Sequence, residues 1–134
     1  MPIDELIREI ERVRRLLEAY MGLEEEPPFD PREGVVYPLY SFDSTSDDYY
    51  RILVDLPVAD LDTLRVYTEG GDLVIEASLE RALEVETPWS LERRITLRRY
   101  RRRIPLPPDA DPERMEVRVH PTRKIVEILL PRRA

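Results

Sequence analysis

The sequence predicts an all-β sandwich preceded by one amphipathic helix, and three observations carry that prediction. Between residues 49 and 130 the apolar residues fall into short runs rich in Val, Ile, Leu and Tyr. Turn formers punctuate almost every gap, namely Pro57, Gly70-Gly71, Pro105 to Pro108, Pro112 and Pro121. No segment of helical period separates the runs, so the sheet connections are mainly antiparallel. At 134 residues the chain is long enough for one domain with an apolar core and a short appended segment.

Residues 1–22 form the helical segment. Ile3, Leu6, Ile10, Val13, Leu17 and Tyr20 recur at alternating gaps of three and four, with Ile7, Leu16 and Met21 widening the stripe. Asp4 and Glu5 occupy the first turn and Gly22 lies just beyond the end, which is the favourable polarity. The stripe is too short for a coiled coil, so its apolar face packs on its own domain or on a partner. Residues 23–37 read as a linker, because Glu24-Glu25-Glu26-Pro27-Pro28, Pro31 and Gly34 cannot sustain helix or ladder pairing for long. Residues 38–131 hold the sandwich. After a polar tract at 41–48, strands are expected at 49–56, 64–68, 73–77, 91–104, 115–119 and 125–130. In the longest, Leu91, Ile95 and Leu97 share one parity and Tyr100, Arg102 and Ile104 the other. A slip of alternation near Arg98 is what a β-bulge produces. Residues 80–90 offer an additional edge strand through Leu83 and Val85, with Trp89 as an anchor in a contact surface. Residues 132–134 are a short tail.

Composition limits the function. Charged residues make up 37% of the chain, well above the usual quarter, and the net charge is -7. A generally nucleic-acid-binding surface is not expected from that balance. There is no cysteine, which excludes disulfides, thiolate metal sites and cysteine catalysis and fits a cytoplasmic location. No apolar run is long enough for a membrane span, and the charged residues near Met1 leave no room for a signal peptide, so the mature chain is expected to start there. The absence of Asn and Gln, a single lysine (Lys124) and 13 prolines fit heat adaptation, although arginine in place of lysine also follows from genome bias. His120, the single histidine, precedes Pro121 in an expected exposed turn and reads as structural. Acidic pairs such as Asp47-Asp48 read as solvated surface rather than as a cation site. With no nucleophile motif and no phosphate-cradling loop, the chain is expected to be no enzyme and to hold no cofactor or metal.

Several segments resemble the small heat-shock protein family, the alpha-crystallin-type chaperones, over about residues 38–131. Asp55-Leu56-Pro57 is similar to the family's D-L-P; Gly71-x-Leu73-x-Ile75-x-Ala77 to its G-x-L-x-I-x-G/A strand. Arg102-Arg103-Ile104-Pro105-Leu106-Pro107 with Asp109-Ala110-Asp111-Pro112 resembles its R-x-F-x-L-P-x-x-V-D-x-D region, and residues 125–131 its closing strand. The resemblance implies an immunoglobulin-like β-sandwich, the alpha-crystallin domain. It also implies ATP-independent holding of partly unfolded client proteins, by a homodimer or larger homo-oligomer. Val58 and Lys124 stand where the family commonly has glycine. The chain ends at Ala134, short of the family's C-terminal I-x-I/V motif, so large cages are not expected.

On this resemblance Arg102 is an ion-pairing residue of a dimer interface to which Leu83, Val85 and Trp89 contribute. Clients or partners would meet Ile3, Leu6, Ile10, Val13 and Leu17 on the helix, or a groove lined by Leu73, Ile75, Val126 and Ile128. The dense run Arg93, Arg94, Arg98, Arg99, Arg101, Arg102 and Arg103 keeps three readings: interface ion pairs, a solvated face neutralised by carboxylates, or backbone contacts to nucleic acid. A structural module for one dedicated partner is the alternative function.

Overall fold

The computed structural model describes residue 3 and residues 5–10, 12–13, 28–86 and 94–133, with the side chains of 86 and 94 outside the description. Residues 3, 5–10, 12 and 13 are helical. The rest is strand apart from turns and one 3₁₀ turn at Pro112–Arg114. The strands are β1 (Phe29–Asp30), β2 (Val35–Val36), β3 (Tyr40–Asp43), β4 (Tyr49–Asp55), β5 (Ala59–Glu69), β6 (Asp72–Glu86), β7 (Arg94–Pro105), β8 (Glu116–His120) and β9 (Ile125–Pro131).

They form two sheets, one in the order β1-β2-β7-β6-β5 and one in the order β3-β4-β9-β8. Every ladder is antiparallel except β2 with β7, where Val35 and Val36 lie parallel to Arg99 and Tyr100. The expected sandwich is therefore present. Its core is the inward-facing alternation of the central strands: Ile52 and Val54 of β4, Leu73 and Ile75 of β6, and Val126, Ile128 and Leu130 of β9 are all fully buried. Burial of each such side chain contributes roughly 1.5–3 kcal/mol.

The slip of alternation near Arg98 is real. Ser78 pairs with Arg99 but Leu83 pairs with Leu97, so residues 79–82 stand opposite Arg98 alone. Leu97 on one side of the break and Tyr100 on the other are both buried, which is how one strand serves the core with two parities. A second break lies in the next ladder, where Asp60 pairs with Ser78 and Arg65 with Glu76.

Four expectations change. The linker expected over residues 23–37 is strand-paired from Phe29 onward, because the turn at 31–34 folds β2 back on β1 and against β7. Gly34 makes that turn possible: its φ is +69, and a Cβ there would lie 2.9 Å from the Thr96 carbonyl oxygen. The tract expected to be irregular at 41–48 begins with β3, which pairs with β4 from Tyr40 opposite Val54. Residues 80–86 are not a separate edge strand but the outer arm of β6, with Val85 opposite Ile95. His120 closes β8 rather than lying in the turn, and is exposed as expected.

Val58 and Lys124 keep the backbone that glycine would favour, with φ of 54 and 57. They sit together at one end of the sandwich. The Glu80 amide donates to the Val58 carbonyl at 2.8 Å, and the Leu56 amide to the Lys124 carbonyl at 2.8 Å. Lys124 Nζ donates to the Ala59 carbonyl at 2.8 Å and to Glu80 Oε1 at 2.7 Å, joining the two sheets.

Candidate functional site

Alternation along β7 divides the arginine run between two faces. Arg99, Arg101 and Arg103 pair with Ser78, Glu76 and Val74 of β6 and stand on the outer face of the five-stranded sheet. There Arg103 reaches Asp72 at 3.2 Å and Glu69 at 3.3 Å, and these hydrogen bonds hold its guanidinium above the usual range. Glu76 lies between Arg65 at 3.5 Å and Arg101 at 3.4 Å and accepts from the Tyr67 hydroxyl at 3.1 Å. Burial, then this bond to Glu76, raises the Tyr67 pKa. The solvated, carboxylate-neutralised reading thus holds for Arg103, whereas Arg101 shares its carboxylate with Arg65.

Arg102 has the opposite orientation. It pairs with Ile75 and points to the inner side of the sheet, where its guanidinium lies 4.7 Å from the centroid of the Tyr40 ring on β3. That cation–π contact crosses from one sheet to the other within a single chain. Leu83 and Val85 are half-buried against the core on the outer arm of β6. Trp89 and Leu17 lie outside the described residues.

The helical stripe is solvent-facing: Ile3, Leu6, Ile10 and Val13 are 73%, 48%, 58% and 51% exposed. The expected groove is not where the sequence placed it. Leu73, Ile75, Val126 and Ile128 are fully buried in the common core. The physical reason is strand order: β6 lies between β5 and β7, and β9 between β4 and β8, so their inward side chains meet the opposite sheet rather than a cleft. Open apolar surface occurs where the sandwich ends. Val117 and Val119 of β8 pair with Ile128 and Val126 and so face inward, yet at the sheet edge they remain 37% and 42% exposed. Because Arg102 on β7 meets Tyr40 on β3, the two sheet orders run the same way and bring β5 to the side of β8. From β5, Leu64 and Val66 line that mouth, only partly buried. These four residues carry the periodicity of ordinary strands, and only the strand order distinguishes them.

A second apolar strip follows the other edge of the same sheet, where Leu39, Tyr40, Phe42 and Tyr49 are exposed. Phe42 packs on Tyr50 at 5.5 Å between ring centroids. Among the described residues no group of three or more His, Cys, Asp or Glu side chains is placed to hold a metal ion. No helix among them is long and apolar enough to cross a membrane.

This two-sheet arrangement agrees with comparison to known proteins. Residues 47–109 match the family model described as an HSP20-like domain found in ArsA. Over those residues the chain is similar to the HSP20-like, alpha-crystallin-type family. Solved structures of heat-shock proteins share the fold. HSP18.5 from E. histolytica aligns with a TM-score of 0.56 at 15% identity, covering 73% of this chain and 89% of that one. A point mutant of hsp14.1 from Sulfolobus aligns with a TM-score of 0.56 at 15% identity, covering 98% of this chain and 91% of that one. A small heat-shock protein from Xylella fastidiosa aligns with a TM-score of 0.52 at 23% identity, over 72% and 86%. No curated protein matches the chain. Within this alpha-crystallin-type domain β3, β4, β9 and β8 make one sheet and β7, β6 and β5 the body of the other.

Proposed function

We propose that the protein is an ATP-independent holdase that binds partly unfolded proteins and slows their aggregation, acting by binding rather than catalysis. The observation that carries this reading is the solvent-facing apolar stripe Ile3, Leu6, Ile10 and Val13 on a chain of the alpha-crystallin type. A client exposing apolar area or an unpaired strand edge buries it against that stripe, or against Leu64, Val66, Val117 and Val119 at the sandwich mouth. Binding unfolded species shifts populations by mass action and needs no energy source. The cytoplasm is the compartment we assign, and a homodimer, with Arg102, Leu83, Val85 and Trp89 at its interface, is the assembly.

The test is thermal aggregation of an unrelated enzyme, followed by light scattering with and without this protein. Suppression near equimolar ratio is expected, and weaker suppression from a variant carrying Leu6→Asp and Ile10→Asp. No suppression at several-fold molar excess would overturn the reading. A specific observation favours a second reading, a module dedicated to one partner: the matching family model describes a domain found in another protein, ArsA. A single stoichiometric partner recovered from native cells, with no effect on aggregation of other proteins, is its signature.

A further inference from the structure

The outer face of the five-stranded sheet carries a pocket of about 270 Å³ at the junction of β5, β6 and β7, lined by Thr63, Arg65, Glu76, Ser78, Arg99 and Arg101 among others. Both register breaks of that sheet flank it. The β5–β6 ladder shifts between Asp60 and Arg65, and the β6–β7 ladder shifts between Ser78 and Leu83. Bulges bend strands and re-aim side chains, and two of them converging on Ser78 open a hollow in what is otherwise a regular pleated face. The hollow is local to this junction. Next to it, Val74 is fully buried on the same outer face, where Tyr67 and Arg103 are its neighbours across the two ladders.

The charges in the pocket do not balance. Three guanidiniums, from Arg65, Arg99 and Arg101, face one carboxylate, Glu76. That carboxylate is already engaged by Arg65, Arg101 and the Tyr67 hydroxyl. The Arg99 guanidinium has no ion-pair or hydrogen-bond partner among the described residues. Arg101 Nε is closed off from solvent without a hydrogen-bond acceptor, its nearest carboxylate oxygen being Glu76 Oε1 at 3.4 Å. A shielded N–H lacking an acceptor is costly to leave unmade, so the site is incomplete as a self-contained ion-pair network. The chain as a whole carries a net charge of -7, so this local excess of two positive charges runs against its general balance.

We propose that this pocket binds a phosphate group, as inorganic phosphate or on a small phosphorylated molecule. A phosphate dianion matches the excess of two positive charges, whereas a single carboxylate would leave one uncompensated. Its tetrahedral oxygens suit forked donors from β5 and β7, and Ser78, which also lines the pocket, offers a neutral hydroxyl donor. Arg99 supplies the free fork and Arg101 its unused Nε proton. Glu76 competes with the ligand for Arg65 and Arg101 and thereby sets the affinity.

The test is isothermal titration of the full chain with inorganic phosphate and with pyrophosphate, at ionic strength held constant with chloride. Saturable binding is expected, weakened about tenfold in Arg99→Gln and in Arg101→Gln, since each removes a charge-assisted bond. Glu76→Gln is expected to tighten binding by a similar factor, an effect that a purely structural role for Glu76 does not produce. Arg118→Gln, a substitution on β8 away from the pocket, serves as the control and leaves binding unchanged. Heat no greater than that of matched chloride overturns the proposal, as does binding that survives Arg99→Gln undiminished; Arg99 is exposed, so that variant folds. Tighter binding of pyrophosphate than phosphate assigns the site to phosphorylated molecules, and the reverse to inorganic phosphate. The result is independent of whether the protein suppresses aggregation.

Discussion

Val58 and Lys124 share a left-handed backbone that disfavours any side chain, yet they differ in what the side chain does. A non-glycine residue there costs about 1–2 kcal/mol, and more for a β-branched residue such as Val58. The Val58 side chain is partly exposed and no polar contact depends on it. Val58→Gly is therefore expected to stabilise the fold by about 1 kcal/mol after allowance for the greater freedom of glycine in the unfolded chain, read as a raised urea midpoint. Lys124→Gly relieves similar strain but loses the bonds of Nζ to Ala59 and Glu80, so its net effect is expected near zero. Asp111 behaves differently again. Its carboxylate caps the 3₁₀ turn by accepting from the Glu113 amide and pairs with Arg114 at 2.8 Å; the Arg114 hydrogen bond is the main cause of its lowered pKa. A carboxyl held lower in the folded state than unfolded contributes stability that is full above its ordinary value of 3.8 and is lost as pH falls through the folded value. Asp111→Asn, compared with the parent by urea denaturation, is expected to narrow the stability difference between neutral and acidic pH.

At the scale of elements, the β1–β2 turn holds the margin of the five-stranded sheet. The Gly34 carbonyl accepts from the Arg98 amide at 2.8 Å, at the residue where β7 changes parity. Gly34→Ala places a Cβ against the Thr96 carbonyl and forces φ +69 on a residue with a side chain. A loss of about 2 kcal/mol is expected, together with faster hydrogen exchange at the Arg98 amide. The strength of a pattern decided what was readable at this scale. The parity slip in residues 91–104 was visible because Leu97, Tyr100 and Ile104 are large and apolar on both sides of it. β1 and β2 were invisible because two-residue pairings among Pro31, Gly34 and charged residues leave no alternation to detect. β3 was missed for a related reason: all four of its residues are exposed, so polar and apolar positions carry no contrast.

At the scale of the molecule, the sandwich and its core were legible, since Ile52, Val54, Leu73, Ile75, Val126 and Ile128 alternate as buried strands do. Which of them would be reachable was not. Leu73 and Val117 read alike along the chain, and only the order β3-β4-β9-β8 makes one central and the other marginal. Likewise the outward arginines find their carboxylates on other strands, at separations that local spacing does not report. The exposed margin of β8 makes its own prediction. Val119→Lys is expected to leave the melting temperature within about 2 °C, as surface changes do, while reducing aggregation suppression if the mouth of the sandwich takes clients. A full effect on suppression from the helix variant with none from Val119→Lys assigns clients to the N-terminal stripe alone.

The parallel pairing of β2 with β7 rests on only two residue pairs, Val35 with Arg99 and Val36 with Tyr100. Beside the much longer β6–β7 ladder on the other side of β7, that short seam opens more often, so the flank of β7 has a clock of its own: covered most of the time, bare for brief intervals, and bare for longer as temperature rises.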